Sequence, residues 1–156
     1  MAERAKNDRP EPHSRADYIH LVTISTRWMD NDAYGRINNV QYHSFFDTVV
    51  NGYLIENGAL LPQTSPVIGL VVESHCNFFA SLSFPQAIDA GLRVARLGQS
   101  SVRYEIGLFA SGADIAVAQG HFVHVYVDRA TQRPVLLPHA LHDVLSGLMA
   151  APAGKR

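Results

Sequence analysis

Only one residue in this 156-residue chain is cysteine, Cys76, which excludes an internal disulfide and fits a reducing compartment. Neither sign of charge is in excess. Thirteen Lys and Arg against 14 Asp and Glu leave a formal net charge of -1, giving no electrostatic reason to expect nucleic acid or an anionic membrane as a partner. Long apolar runs are missing too. Met1–Asp17 is polar and charged, so it reads neither as a secretory signal nor as a membrane span, and no repeat of about 20–50 residues is present. There is no Gly-Lys-Ser/Thr phosphate loop, no dinucleotide fingerprint and no Gly-x-Ser-x-Gly elbow. Eight histidines invite a metal reading that their spacing does not support. His121 and His124 lie three apart on a strand and point to opposite faces, while His139 and His142 share a helix face without a third ligand. The expectation is a cytoplasmic protein that needs no cofactor or metal.

What is present describes one globular domain, with 47% hydrophobic and 17% charged residues. Residues 1–17 are expected to be a flexible arm, 18–150 a single domain and 151–156 a frayed tail. Within the domain, Tyr18–Arg27 alternates and is rich in β-branched residues, as a strand does. From Asn39 to about Asn57 the apolar residues Val40, Phe46, Val49, Val50, Tyr53 and Leu54 recur at helical spacing, flanked by Tyr42 and Phe45, with Gly58 as the stop. Strands follow at Val67–Ala80, Ile88–Leu97, Ser101–Ala110 and Ile115–Asp128, with turn residues between the last three. In the first of these, Leu70, Val72, Ser74, Cys76 and Phe78 fall on one face, and Val71, Glu73, His75, Asn77 and Phe79 on the other. A short helix over Leu137–Met149, weakened at Gly147, closes the chain. The order predicts an α+β fold in which an antiparallel sheet, its last four strands a meander, curls round one long helix.

The chemistry concentrates at Arg27-Trp-Met-Asp-Asn-Asp-Ala-Tyr-Gly-Arg-Ile-Asn-Asn39, between the first strand and that helix. A helix mouth carries unpaired N–H groups and partial positive charge, which suits a polarised carbonyl oxygen. A carboxylate just upstream can attack that carbonyl or activate water against it. The plainer reading is that Asp30 and Asp32 cap a turn and that Asn38 is the helix N-cap; spacing alone favours it. Cys76, on an apolar face, reads as a core thiol.

The motif Arg-Trp-x-Asp-x-Asp-x-x-Gly-x-x-Asn-Asn, followed by Val-x-Tyr-x-x-Phe-Phe-Asp, resembles the hotdog-fold acyl-CoA thioesterases of the 4-hydroxybenzoyl-CoA thioesterase-like group. The resemblance spans roughly Tyr18–Asp128, with a looser echo at Leu82-Ser-Phe-Pro85 and Ser100–Glu105. It implies a sheet wrapped around a central helix, assembled as a homodimer or homotetramer with sites at the subunit interface. It also implies hydrolysis of an acyl-CoA thioester to free acid and CoA, with Asp32 as the catalytic carboxylate and the Asn39 backbone N–H holding the thioester oxygen. Arg36 stands where many members have histidine; arginine cannot act as a base, but can pair with Asp32 or a substrate phosphate. Asn38 and Tyr42 are further candidates for the substrate site. Glu73 is a supporting one, because its strand can approach a partner's helix. Scattered arginines (Arg93, Arg96, Arg103, Arg129 and Arg133) suit the phosphates of coenzyme A, none in particular. Two alternatives stay open: an acyl-carrier-protein thioesterase using the same site, and a silent acyl-CoA-binding hotdog module.

Overall fold

A computed structural model describes residues 10–149. Residues 1–9 of the expected arm and the expected tail at 151–156 lie outside the described residues. Five strands form one antiparallel sheet: β1 (His20–Ile24), β2 (Val67–Phe78), β3 (Ile88–Leu97), β4 (Ser101–Ala110) and β5 (Ala118–Asp128). Two helices accompany it, α1 (Asn39–Glu56) and α2 (His139–Ser146). The spatial order is β1-β3-β4-β5-β2. The expected four-strand meander is therefore corrected: β3, β4 and β5 form one, while β2 crosses to the far edge and pairs with β5.

The core lies between α1 and one face of the sheet. Phe46, Val49, Val50 and Leu54 pack against Leu92, Ile106, Leu108 and Phe122. Tyr42 and Phe45, expected only to flank the apolar stripe, are buried within it, whereas Val40 in the first turn is 66% exposed. The far end of α1 is closed by a Schellman arrangement: Gly58 (φ +70°) donates to the Ile55 carbonyl (3.1 Å) and Ala59 to the Leu54 carbonyl (2.8 Å).

Alternation along β2 breaks at a bulge between Val71 and Glu73. The extra residue inverts the pattern beyond it, so Leu70 does not share the face of Ser74, Cys76 and Phe78. Glu73, His75 and Asn77 lie on the outer face, with Glu73 bonded to His121.

The outer face carries a second, smaller core of Tyr18, Phe109 and Ala116. The last part of the expected arm runs beside it. Ala116 N–H donates to the His13 carbonyl (2.9 Å), and Arg15 reaches Asp89 (2.8 Å) and the Ala113 carbonyl (2.7 Å). Tyr18 lies over Gly91 and Gly107, where a Cβ would come within 2.6 and 2.5 Å of its ring. Among the described residues no helix is long and apolar enough to cross a membrane.

Candidate active site

The Arg27–Asn39 stretch folds as a pinned loop. A short 3-10 turn, Trp28–Asp30, carries Asp30, which is fully buried. Its carboxylate accepts the Arg27 N–H (2.8 Å) and the Arg27 guanidinium (2.9 Å), so its oxygens are spent on bracing the turn. Asp32 closes the next turn. Its N–H donates to the Arg36 carbonyl (2.7 Å), and its Oδ1 accepts the N–H groups of Tyr34 (2.8 Å) and Arg36 (3.2 Å). Gly35, at φ +77°, makes the return that a side chain would strain.

Residues 82–84 brace this loop from the sheet side. Ile37 N–H donates to the Leu82 carbonyl (2.8 Å), the Ser83 hydroxyl to the Gly35 carbonyl (2.8 Å) and Phe84 N–H to Asn31 Oδ1 (3.0 Å). Trp28 packs edge-on against Phe84 at 6.1 Å between ring centroids.

The mouth of α1 follows directly. Asn38 is its N-cap: Oδ1 accepts the Val40 N–H (3.1 Å), and its carbonyl accepts the Gln41 N–H (2.9 Å). Asn38 thereby occupies the second and third amides of the helix. The Asn39 N–H has no partner among the described residues, and neither does Asp32 Oδ2.

Asp32, Arg36, Asn39 and Tyr42 line one open cavity of about 240 Å³. Its far wall is Phe78, Ala80 and Ser81, from the end of β2 and the residues after it. Tyr42 is 3% exposed and meets Phe78 edge-on at 4.9 Å; burial raises the pKa of its hydroxyl, which therefore stays protonated. Two residues lining this cleft thus carry a carboxylate oxygen and a helix-mouth amide without a partner among the described residues, and they share it with an apolar wall. Such a set suits an electrophilic carbonyl carrying an apolar group.

Some expected contacts and residues fall outside this arrangement. The Arg36 guanidinium makes no ion pair with Asp32; it is the Arg36 backbone that touches that carboxylate. Glu73 does not line the cavity of its own chain, and its Oε2 accepts from His121 Nε2 at 2.9 Å. Arg93 is paired with Glu105 (2.8 Å), and Arg129 is committed to the carbonyls of Ser65 and Pro62 (2.7 Å each). Cys76 is half-buried against the core, and burial pushes its thiol up to about 12, which keeps it un-ionised and inert. His121 and His124 do face opposite sides of β5: one pairs with Glu73, the other is buried against Tyr104. The contribution of Phe78, Ala80 and Ser81 to the cavity was not read from the sequence. The Leu82–Pro85 echo was the nearest signal to it.

The sequence profile of the Thioesterase-like superfamily matches residues 26–145. No curated protein matches. Among solved structures, the PA5185 protein from Pseudomonas aeruginosa strain PAO1 is 55% identical, with a TM-score of 0.88 over 90% of this chain and 98% of that one. A 1,4-dihydroxy-2-naphthoyl-CoA thioesterase from Synechocystis aligns at 12% identity over 81% of this chain and 94% of that one, with a TM-score of 0.74. A gentisyl-coenzyme A thioesterase aligns at 20% identity over 81% and 99%, with a TM-score of 0.70. These last two likenesses establish the fold. By its matched profile and its sheet wrapped on α1, the chain belongs to the Thioesterase-like superfamily and carries the hotdog fold.

Proposed function

We propose that the protein is an acyl-CoA thioesterase, hydrolysing an acyl-CoA to the free acid and coenzyme A, in which Asp32 is the catalytic carboxylate and the Asn39 N–H receives the thioester oxygen. The observation that carries the reading is that Asp32 Oδ2 and the Asn39 N–H, both unpartnered among the described residues, belong to residues lining one cavity. Two backbone donors hold Asp32 through Oδ1 and leave the other oxygen for the reaction. That oxygen either adds to the carbonyl carbon or takes a proton from the water that does. The helix-mouth amide stabilises the oxygen as it gains charge, a contribution typically of about 2.7–4 kcal/mol for one donor. If Asp32 adds, breaking the C–S bond leaves an acyl–Asp32 anhydride that water then hydrolyses to the acid and the free carboxylate. If water adds, the C–S bond breaks directly to the acid, and on either route the departing thiolate takes up the remaining proton of that water. Tyr42 and Phe78 form the apolar side of the cleft, and Arg36 at its exposed rim suits the phosphates of the coenzyme.

Two structural neighbours bear the names of thioesterases of aromatic acyl-CoAs, which supports the same substrate class here. Assembly as a homodimer or homotetramer in the cytoplasm is part of the proposal. The support for assembly is β2, a twelve-residue edge strand with Leu70, Val71 and Val72 exposed, a form that single chains ordinarily protect.

The test is hydrolysis of an acyl-CoA panel, including aromatic members, with a dye that traps the released thiol. Asp32→Asn is expected to lower kcat by about 100-fold or more without a change in melting temperature. Full retention of activity removes Asp32 from the mechanism. Tight binding without turnover by the wild type replaces the enzyme with a binding module.

A further inference from the structure

A second cavity, separate from the Asp32 cleft, opens between the edge strand β1 and the C-terminal half of α1. Its volume is about 270 Å³, larger than the roughly 150 Å³ apolar cavity that suffices for benzene in a protein interior. Val22 and Ile24 from β1 and Val49 from α1 give it an apolar floor. His20 and Tyr53, their rings edge-on at 4.8 Å, close one side. Glu56 stands at the end of α1, and among the described residues that line the cavity there is no lysine or arginine.

Gly52 is the feature that packing does not explain. It lies inside α1, where glycine is the least favourable residue after proline, and its backbone is helical rather than left-handed. Nothing comes within 4 Å of the position its Cβ would take. At Gly91, Gly107 and Gly120, by contrast, a neighbouring atom would lie within 3 Å of an added Cβ. The missing side chain at Gly52 is therefore not needed for a turn or a close approach; its effect is to leave the cavity open. Gly52 is also thirteen residues beyond Asn39, about 20 Å along the helix axis, so this space is no extension of the catalytic cleft.

We propose that this cavity is a binding site for a small apolar amine, an aromatic ring or short alkyl chain ending in an ammonium group. The apolar floor takes the ring or chain. The ammonium is placed at the rim by the carboxylate of Glu56, the one acidic residue lining the cavity. Without lysine or arginine in the lining, a carboxylate ligand, such as the acid that thioester hydrolysis releases, would face Glu56 with no permanent cation to balance it.

The probes are benzylamine, benzyl alcohol and benzoate, titrated into the full-length protein and followed by ligand-observed NMR and thermal shift. Benzylamine is expected to bind saturably in the millimolar range, benzyl alcohol more weakly and benzoate not at all. Gly52→Leu fills the space and is expected to weaken benzylamine by about ten-fold or more, with the circular dichroism spectrum unchanged. Gly52→Ala gives a smaller loss together with an equal or higher melting temperature, which separates occupation of the site from damage to the fold. Glu56→Gln is expected to bring benzylamine down to the level of benzyl alcohol while leaving the alcohol unaffected. No saturable binding of benzylamine, equal binding of benzoate, or benzylamine binding indifferent to Gly52→Leu would each overturn the proposal.

Discussion

His124 is the residue at which the interior departs most from ordinary polar satisfaction. It is 3% exposed, ringed by Tyr104, Phe122 and Tyr126, and neither ring nitrogen has a hydrogen-bond partner among the described residues. Burial lowers its pKa from the ordinary 6.5 to about 4, with the nearby Asp47 opposing the shift in part. The consequence has a definite sign. As pH falls through 6.5 the unfolded chain takes up this proton while the folded chain does not, so His124 favours folding fully above that pH. The contribution declines between about 6.5 and 4 and is flat below; a shift of this size corresponds to about 3 kcal/mol. Urea unfolding at a series of pH values is expected to show this fall in the wild type. His124→Phe should flatten it over the same window, and an unaltered slope would assign the acid sensitivity to other groups. Gly120 is a second residue with one dominant constraint. A Cβ there would lie 1.9 Å from the His75 carbonyl oxygen and 2.8 Å from the Phe46 ring. Gly120→Ala is therefore expected to cost about 1–3 kcal/mol, read as a lower urea midpoint at neutral pH.

At the scale of elements, the start of α1 ties stability to the proposed chemistry. Asn38 caps the helix through Val40 and Gln41 and leaves the Asn39 amide without a partner among the described residues. Asn38→Ala should cost about 1 kcal/mol. It should also lower kcat more than it raises KM, because the freed Val40 amide competes for the thioester oxygen and the helix mouth loosens. Equal stability to the wild type in thermal unfolding would mean that the cap is energetically idle. This element was also among the most readable in the sequence, since its apolar spacing, Asn38 and Gly58 all agree on one helix. The bounds of β3 and β4 were equally legible, because both are apolar runs and turn residues separate them and follow β4. β2 was not. Its bulge inserts one residue into an exposed edge, where no buried face forces the alternation to stay in phase. Its place beside β5 is a long-range pairing that local pattern does not encode. The cavity divides the same way. Asp32, Arg36, Asn39 and Tyr42 came from one contiguous motif, whereas Phe78, Ala80 and Ser81 arrive from a segment some forty residues on, brought there by the sheet.

For the whole molecule, the two edges of the sheet are unlike. β1 is five residues long, a short edge of the kind proteins tolerate, but β2 runs for twelve, with Leu70, Val71 and Val72 exposed at 38, 47 and 61%. A second copy pairing along β2 would continue the sheet and cover these side chains. It would also bring the partner close to the end of β2, where Phe78 helps to wall the Asp32 cavity. On this arrangement assembly and activity are coupled. Leu70→Lys with Val72→Lys places like charges where two edges would meet, and an assembly formed along β2 should give way to monomer in sedimentation velocity at unchanged far-ultraviolet circular dichroism. Thioester hydrolysis should fall with the monomer fraction and recover partly at higher protein concentration. An assembly that survives both substitutions would lie on another surface. A monomer with full activity would mean that the carboxylate, amide and apolar wall of one chain are enough for turnover.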